Sequence, residues 1–211
     1  MQLDVKLDPR DVGLLVVDMQ NGFCHPDGAR GQAFGAEAVK HPNAIIPNVV
    51  AAHEMAHRFG IPVWFTQQVH YDDDVTRARR RIPSHLERRG VDLKLCRRGT
   101  WDAELLDEMR AALRPEDEVV VKHRSSAFFR TPLEQELKMR GVQVLIVTGT
   151  TTSFCVDSTI RDAYARDLDV LVPAECVADS DWAAHEATLA TVNRFHGVVT
   201  DLQEIQKALE G

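Results

Sequence analysis

Three side chains that can together support nucleophilic catalysis follow three apolar segments of this sequence. Asp18 ends VGLLVVD, Lys122 ends DEVVVK, and Cys155 follows VQVLIVTG after the threonine-rich stretch TTTSF. A carboxylate, an ammonium and a thiol supply a base, a cation and a nucleophile. Taken singly, each has a simpler interpretation. Asp18 could be a turn residue, Lys122 a solvated strand end, and Cys155 a small buried side chain. The catalytic interpretation requires the fold to bring all three together.

Six short apolar segments predict the strands that position these residues, because they are rich in Val, Ile and Leu with little polar alternation. They are residues 12–18, 61–67, 117–122, 142–149, 169–173 and 197–200. Helical patterns lie between them, at residues 43–59, 101–113, 131–140, 155–166, 182–195 and 201–209. The alternation predicts an α/β fold in three layers, with a doubly wound parallel sheet. Ligands bind beyond the carboxyl ends of such strands, where Asp18, Lys122 and Cys155 are expected to meet.

The predicted position of Cys155 at the start of a helix bears on its reactivity. The positive end of a helix dipole and a neighbouring ammonium both favour a thiolate. We therefore expect Lys122 to lower the pKa of Cys155 and Asp18 to accept the thiol proton. Cys24 also lies near Asp18 but lacks the helix start and the threonine loop, so it is predicted to be non-catalytic.

Composition limits the classes of function. The 211 residues fit one domain, residues 1–211, and 44% apolar residues allow a sizeable core. A formal net charge of −7 argues against a nucleic-acid partner. No secretory signal or membrane-spanning run is visible, and four scattered cysteines indicate a reducing compartment. We therefore expect a cytoplasmic protein that acts on a small molecule.

A charged excursion at about residues 69–100 interrupts the alternation of strands and helices. It contains DDD at 72–74, RARRR at 77–81 and ERRG at 87–90. One interpretation is a solvated surface excursion. The other is a lid whose arginines, within 77–98, meet an anionic substrate.

A second motif, HEMAH at residues 53–57, matches the H-E-x-x-H pattern of zinc peptidases. It lies near the end of a helix that leads back to the second strand, at the edge of the sheet opposite the expected ligand crevice. No third ligand follows at a recognised spacing. The sequence analysis therefore predicts a polar helix face here, and no metal.

Three longer stretches are similar to the isochorismatase-like hydrolases, also called cysteine hydrolases: LLVVDMQNGFCHPDG, VVVKHRSSAFFRTPLEQEL and VTGTTTSFCVDSTIRDAYARD. The resemblance implies a six-stranded parallel sheet and assigns the catalytic roles to Asp18, Lys122 and Cys155. It also implies a cis peptide between Thr150 and Thr151. The backbone N–H groups of Thr151 and Cys155 are implied to form an oxyanion hole.

Within this family the sequence most resembles N-carbamoylsarcosine and maleamate amidohydrolases. The resemblance implies hydrolysis of a C–N bond through a thioester, in an anionic small substrate, without a metal or other cofactor. Alternatives are a ureidoacrylate-type amidohydrolase, a nicotinamidase, an isochorismatase, or a catalytically idle binding protein. The family also implies a homodimer or homotetramer. Candidate pocket residues, each also interpretable as core or structural, are Phe23, Gln67, Trp101, Phe128 and Phe154, and Arg130 and Phe154 replace expected glycines.

Overall fold

The centre of the fold is a parallel β-sheet that contains every predicted strand. The computed structural model describes residues 3–71, 82 and 93–211. The strands are β1 Val12–Val17, β2 Val63–Gln68, β3 Glu118–Lys122, β4 Val144–Thr150, β5 Asp169–Pro173, β6 Val177–Ala178 and β7 Val198–Thr200. The order is β3-β2-β1-β4-β5-β7, with β6 paired to β4, and all the pairs are parallel. The two-residue β6 was not predicted, because it is too short to give a pattern.

Helices cover both faces of this sheet. Those in the described residues are α1 Asn21–Cys24, α2 Ala29–Phe34, α3 Lys40–Ala44, α4 Ile46–Arg58, α5 Asp107–Ala112, α6 Leu133–Met139, α7 Asp157–Tyr164, α8 Trp182–Phe195 and α9 Leu202–Glu210. The predicted helices correspond to α4–α9. The prediction missed α1–α3, because segments of four to six residues make fewer than two turns. The runs at 72–74, 77–81 and 87–90, and with them the lid interpretation, lie outside the described residues.

The three-layer arrangement follows from the buried pattern of β1, in which every residue is buried. Leu14 and Val16 pack on one face of the sheet, in a core that α4 and α9 cover. Leu15 and Val17 pack on the other face, in a core that α6, α7 and α8 cover. Within the described residues, no helix is both long and apolar enough to cross a bilayer.

A close approach between β1 and β4 shapes the carboxyl edge of the sheet. Gly149 has a φ of 103°, and a Cβ there would lie 2.1 Å from the carbonyl oxygen of Val17. Only glycine fits this position. The next residue of the first segment, Asp18, itself has a positive φ of 50°. The backbone therefore turns sharply at Asp18, at the carboxyl end of β1.

Candidate active site

Asp18 and Lys122 form an ion pair at the carboxyl edge of the sheet. Lys122 Nζ lies 2.7 Å from Asp18 Oδ2, and both side chains are completely buried. Removing two charges from water is costly, so such a pair persists only with good geometry and further hydrogen bonds. Asp18 Oδ1 accepts a 2.7 Å bond from the Thr66 hydroxyl. Burial acts to lower the pKa of Lys122, but the charges of Asp18 and Cys155 raise it overall.

The ammonium of Lys122 is held by further acceptors. It donates to Gln68 Oε1 at 2.9 Å and to the carbonyl oxygens of Ser125 and Arg124 at 3.0 and 3.1 Å. Gln68 stands opposite Lys122 in the β2–β3 register, so both side chains point to the same face. The sequence analysis missed Gln68, because it ended the second strand at residue 67.

Cys155, in the turn that follows β4, is the third member of the cluster. It is buried, and its thiol is close enough to Asp18 and Lys122 for both side chains to act on its pKa. It lies in a π-helical turn, Thr152–Val156, that leads into α7. The structure thus brings together the three residues that the sequence predicted for catalysis.

The expectation of a lowered thiol pKa was wrong. Burial raises the pKa of Cys155 to about 12, against the opposing effect of Lys122 and with a further raising effect from Asp18. The thiol is therefore protonated at neutral pH and requires a base at the moment of attack. Asp18 is a carboxylate close enough to the thiol to act on its pKa, and a carboxylate is a group that can accept such a proton.

The threonine loop before Cys155 is fixed from two directions. The peptide bond between Thr150 and Thr151 is cis. The backbone N–H and the hydroxyl of Ser153 both donate to Asp179 Oδ2, at 2.9 and 2.5 Å. The Thr152 hydroxyl lies 3.0 Å from Nδ1 of the buried His185. The loop is thus attached to the start of α8 and the segment before it.

Arg30 is a residue of this site that the sequence analysis missed. It is the second residue of α2 and is half-buried. Its guanidinium donates to Thr151 Oγ1 at 2.9 Å and to Ser180 Oγ at 2.5 Å. Burial lowers the pKa of Arg30, while the charges of Asp179 and Cys155 oppose that shift. No carboxylate pairs with Arg30 among residues 3–71, 82 and 93–211.

The weaker pocket candidates occupy different surroundings. Phe128 is buried in the same core as Cys155, with the Arg166 guanidinium over its ring, and Phe23 is buried on the other face. The Gln67 amide donates to the Ala103 carbonyl at 2.7 Å. Trp101 and Phe154 are exposed, at 43% and 53%. Phe154 is thus the candidate that is both adjacent to the nucleophile and open to solvent.

The other cysteines provide a pH-dependent prediction. Cys24, Cys96 and Cys176 are free and buried, and burial raises the pKa of each, as it does for Cys155. Below the ordinary thiol pKa of 9.0 these thiols are neutral in both the folded and the unfolded chain, so ionisation does not lower the free energy of unfolding there. Above pH 9 they ionise in the unfolded chain first, which favours unfolding. We expect the free energy of unfolding to fall between pH 9 and about 12, by about 1.4 kcal/mol per pH unit for each thiol.

Urea unfolding across this pH range tests the prediction. Cys24→Ala removes one of these thiols, so the free energy of unfolding should decrease with pH less steeply, by about 1.4 kcal/mol per pH unit. A slope that is the same in the variant and the unmodified protein contradicts the prediction. Comparing slopes cancels any loss of packing at Cys24, since that loss is the same at every pH.

The family assignment comes from a match that spans nearly the whole described fold. The family model for the isochorismatase domain matches residues 12–204. The chain belongs to the isochorismatase family. This confirms the resemblance seen in the motifs around Asp18, Lys122 and Cys155. The family and an amidohydrolase relative point, as predicted, to a hydrolase acting on carbon–nitrogen bonds.

One relative and two solved structures show how similar this chain is to known proteins. The ureidoacrylate amidohydrolase RutB of Methylobacterium radiotolerans is 32% identical, over 97% of this chain and 82% of its own. A cysteine hydrolase from Pseudomonas syringae superimposes with a TM-score of 0.83 at 23% identity, covering 100% of this chain and 97% of its own. An isochorismatase family protein from Desulfovibrio vulgaris gives 0.80 at 26% identity, covering 96% and 100%. The predicted fold class is confirmed.

Proposed function

We propose that the protein hydrolyses a C–N bond in a small ureido, carbamoyl or amide substrate that carries a carboxylate, with Cys155 as the nucleophile. The observation that carries this proposal is the buried cluster of Asp18, Lys122 and Cys155 at the carboxyl edge of the sheet. A thiol, a carboxylate within hydrogen-bond reach and a fixed cation form the set that thiol-based acyl transfer requires.

In the first half of the reaction Asp18 removes the thiol proton as Cys155 sulfur attacks the substrate carbonyl carbon. A C–S bond forms, and the negative charge that develops on the carbonyl oxygen is met by the N–H groups of Thr151 and Cys155. The tetrahedral intermediate then loses its C–N bond. The departing nitrogen takes the proton from Asp18, and amine or ammonia leaves with a thioester behind.

In the second half, Asp18 is again a carboxylate and removes a proton from water. The water oxygen attacks the thioester carbon, a C–O bond forms and the C–S bond breaks. The Cys155 thiolate then takes the proton from Asp18, which restores the starting state because the raised thiol pKa favours the protonated form. Throughout, the positive charge of Lys122 balances the charge that moves between Asp18 and Cys155.

Arg30 supports the assignment of an anionic substrate. Its half-buried guanidinium contacts the side chain of Thr151, whose peptide bond to Thr150 is cis, and two hydroxyls occupy only part of its five donors. A carboxylate is the group that a planar guanidinium binds best, through two parallel hydrogen bonds. Of the arginines first assigned this role, within 77–98, those at 77–81 and 88–89 lie outside the described residues. Arg97 and Arg98 are described and contact Tyr71, through a hydrogen bond to its carbonyl oxygen and a position over its ring.

Two kinds of acid fit these residues. The resemblance favoured N-carbamoylsarcosine or maleamate, whereas the curated relative is a ureidoacrylate amidohydrolase. All of these compounds combine a C–N bond to a carbonyl with a carboxylate, as Arg30 and Cys155 together require. The exposed Phe154, where the resemblance predicted glycine, is placed to limit the size of the group beside the scissile bond.

Ammonia release from matched substrates tests this function. We expect turnover of at least one acid among ureidoacrylate, N-carbamoylsarcosine and maleamate, with kcat/KM about 10- to 100-fold lower for its uncharged methyl ester. The reason is the loss of a charge-assisted hydrogen bond at Arg30. A coupled assay for ammonia gives the rates. Absence of ammonia from every acid contradicts the proposed hydrolase.

Arg30→Gln separates carboxylate recognition from the chemistry. We expect the variant to turn over acid and ester with similar kcat/KM, chiefly through a higher KM for the acid. Arg10→Gln is the matched control, since Arg10 is exposed and pairs only with Asp8 among the described residues. If Arg30→Gln keeps the full preference for the acid, the carboxylate is recognised elsewhere.

The predicted homodimer or homotetramer stays a prediction.

A further inference from the structure

The HEMAH motif of α4 meets a buried carboxylate that its spacing does not reveal. His53 Nε2 lies 2.8 Å from Asp117 Oδ2, and His57 Nε2 lies 2.8 Å from Asp117 Oδ1. The two Nε2 atoms are 3.1 Å apart. The three side chains are nearly or completely buried. Asp117 precedes β3, sixty residues after His57, so only the fold could bring the third group to the motif.

The protons available do not satisfy this cluster well. Each imidazole Nε2 carries at most one hydrogen, in the plane of its ring. If both nitrogens donate to Asp117, the two N–H groups of His53 and His57 face each other at 3.1 Å. If one nitrogen donates to the other, a carboxylate oxygen loses a partner. The two Nε2 atoms and the Asp117 carboxylate therefore face one another with too few protons in suitable positions to bond them all.

A single cation satisfies all three donors at once. Zinc binds imidazole nitrogen and carboxylate oxygen at about 2.0–2.2 Å, which places tetrahedral ligands roughly 3.3–3.4 Å apart. The observed separations of 2.8–3.1 Å are within about half an ångström of that value. All the candidate donor atoms lie within 4.8 Å of one another.

The groups around the cluster also suit a metal. His57 Nδ1 lies 3.5 Å from Glu116 Oε1, a position that directs the ring proton to Nδ1 and leaves Nε2 free to bind. The backbone N–H of Arg114 donates to Asp117 Oδ2 at 2.8 Å and fixes the carboxylate. Ligands oriented by neighbouring hydrogen bonds are typical of metal centres in proteins.

We propose that His53, His57 and Asp117 form a binding site for one divalent transition-metal ion, with Zn²⁺ the best match to two imidazoles and a carboxylate. The site joins the end of α4 to the start of β3, at the edge of the sheet opposite Cys155. The three side chains leave the fourth tetrahedral position to water. Glu54, the motif's acidic residue, is exposed rather than buried with the histidines, so it is not placed as a general base and we expect the ion to stabilise the fold. The earlier prediction of a purely polar helix face overlooked Asp117.

Calorimetric titration of Zn²⁺ into the chelator-treated full chain tests this site. The titration uses Cys155→Ser protein, because thiols are zinc ligands and this change removes the one in the candidate active site. We expect one Zn²⁺ per chain and a rise in Tm of about 5–10 °C at a Zn²⁺ concentration 100-fold above Kd. His53→Gln with His57→Gln should abolish both effects. No binding, or equal binding by this double variant, overturns the proposal.

Two further measurements guard against a folding defect in the double variant. Glu116→Gln alters only the group behind His57 and should weaken Zn²⁺ binding about 10- to 100-fold, whereas Glu54→Gln should leave the Kd unchanged. Co²⁺ in place of Zn²⁺ should give the visible bands of a tetrahedral site without a thiolate charge-transfer band. Octahedral bands, a thiolate band, or equal effects of the two glutamate variants overturn the assignment.

Discussion

Replacing Cys155 by Ser is expected to lower kcat by about 10⁴- to 10⁶-fold on any substrate that the protein turns over, the range seen when nucleophiles of comparable enzymes are removed. In the proposed reaction the sulfur is the protein atom that forms a covalent bond to the substrate carbon, whereas Asp18 only transfers protons. A serine hydroxyl in the same place is a poorer nucleophile, and burial beside the Asp18 carboxylate disfavours its ionisation further. The folded structure should persist, because serine is similar in size.

Cys24→Ser is the matched control for this change. Cys24 is also buried and also close to Asp18 in the chain, but it lies in α1 on the opposite face of the sheet. We expect it to retain near-normal kcat. Mass spectrometry of enzyme quenched during turnover should detect an acyl adduct on Cys155. Turnover by Cys155→Ser comparable to that of the unmodified enzyme would show that the nucleophile has been assigned wrongly.

Asp18→Asn should damage both activity and stability. An amide cannot accept the thiol proton, so the loss of general base catalysis lowers kcat by about 10²- to 10⁴-fold. The change also leaves the completely buried ammonium of Lys122 without its opposite charge. Breaking a buried pair from one side costs about 3–5 kcal/mol, which urea unfolding at neutral pH measures.

The double variant Asp18→Asn with Lys122→Met separates these two effects. Removing the charge of Lys122 eliminates the unpaired ammonium, so most of the lost stability should return, whereas kcat should stay low. Equal stability of the single and double variants contradicts a charge-pair origin. Recovery of kcat in the double variant contradicts the role of Asp18 as the base.

The sequence was most informative where function depends on residues at strand ends. Asp18 and Lys122 each end an apolar segment, and the rule that parallel strands share a carboxyl edge was sufficient to bring them together. Gln68 and Arg30 could not be found in this way. Gln68 is recognisable only through its register with Lys122, and Arg30 reaches Thr151 across 121 residues.

The same limit explains the error in the pKa of Cys155. The sequence correctly placed the thiol near a helix start and a lysine, both of which favour the thiolate. It could not give the degree of burial, which depends on every element around the site and outweighs Lys122. Electrostatic attraction and desolvation oppose each other here, and only the packed fold decides between them.

Among the described strands, β3 lies at the end of the sheet order and pairs only with β2, so a single partner sets its register. A slip by one residue would turn Lys122 out to solvent and carry Val121, now 45% exposed, inward to face Asp18. Asp117 precedes the strand and is held by two histidines, and Lys122 ends it and is held by Asp18 and Gln68. We therefore expect the cluster of His53, His57 and Asp117 at one end of β3 to help hold the register that places Lys122 beside Asp18 at the other end.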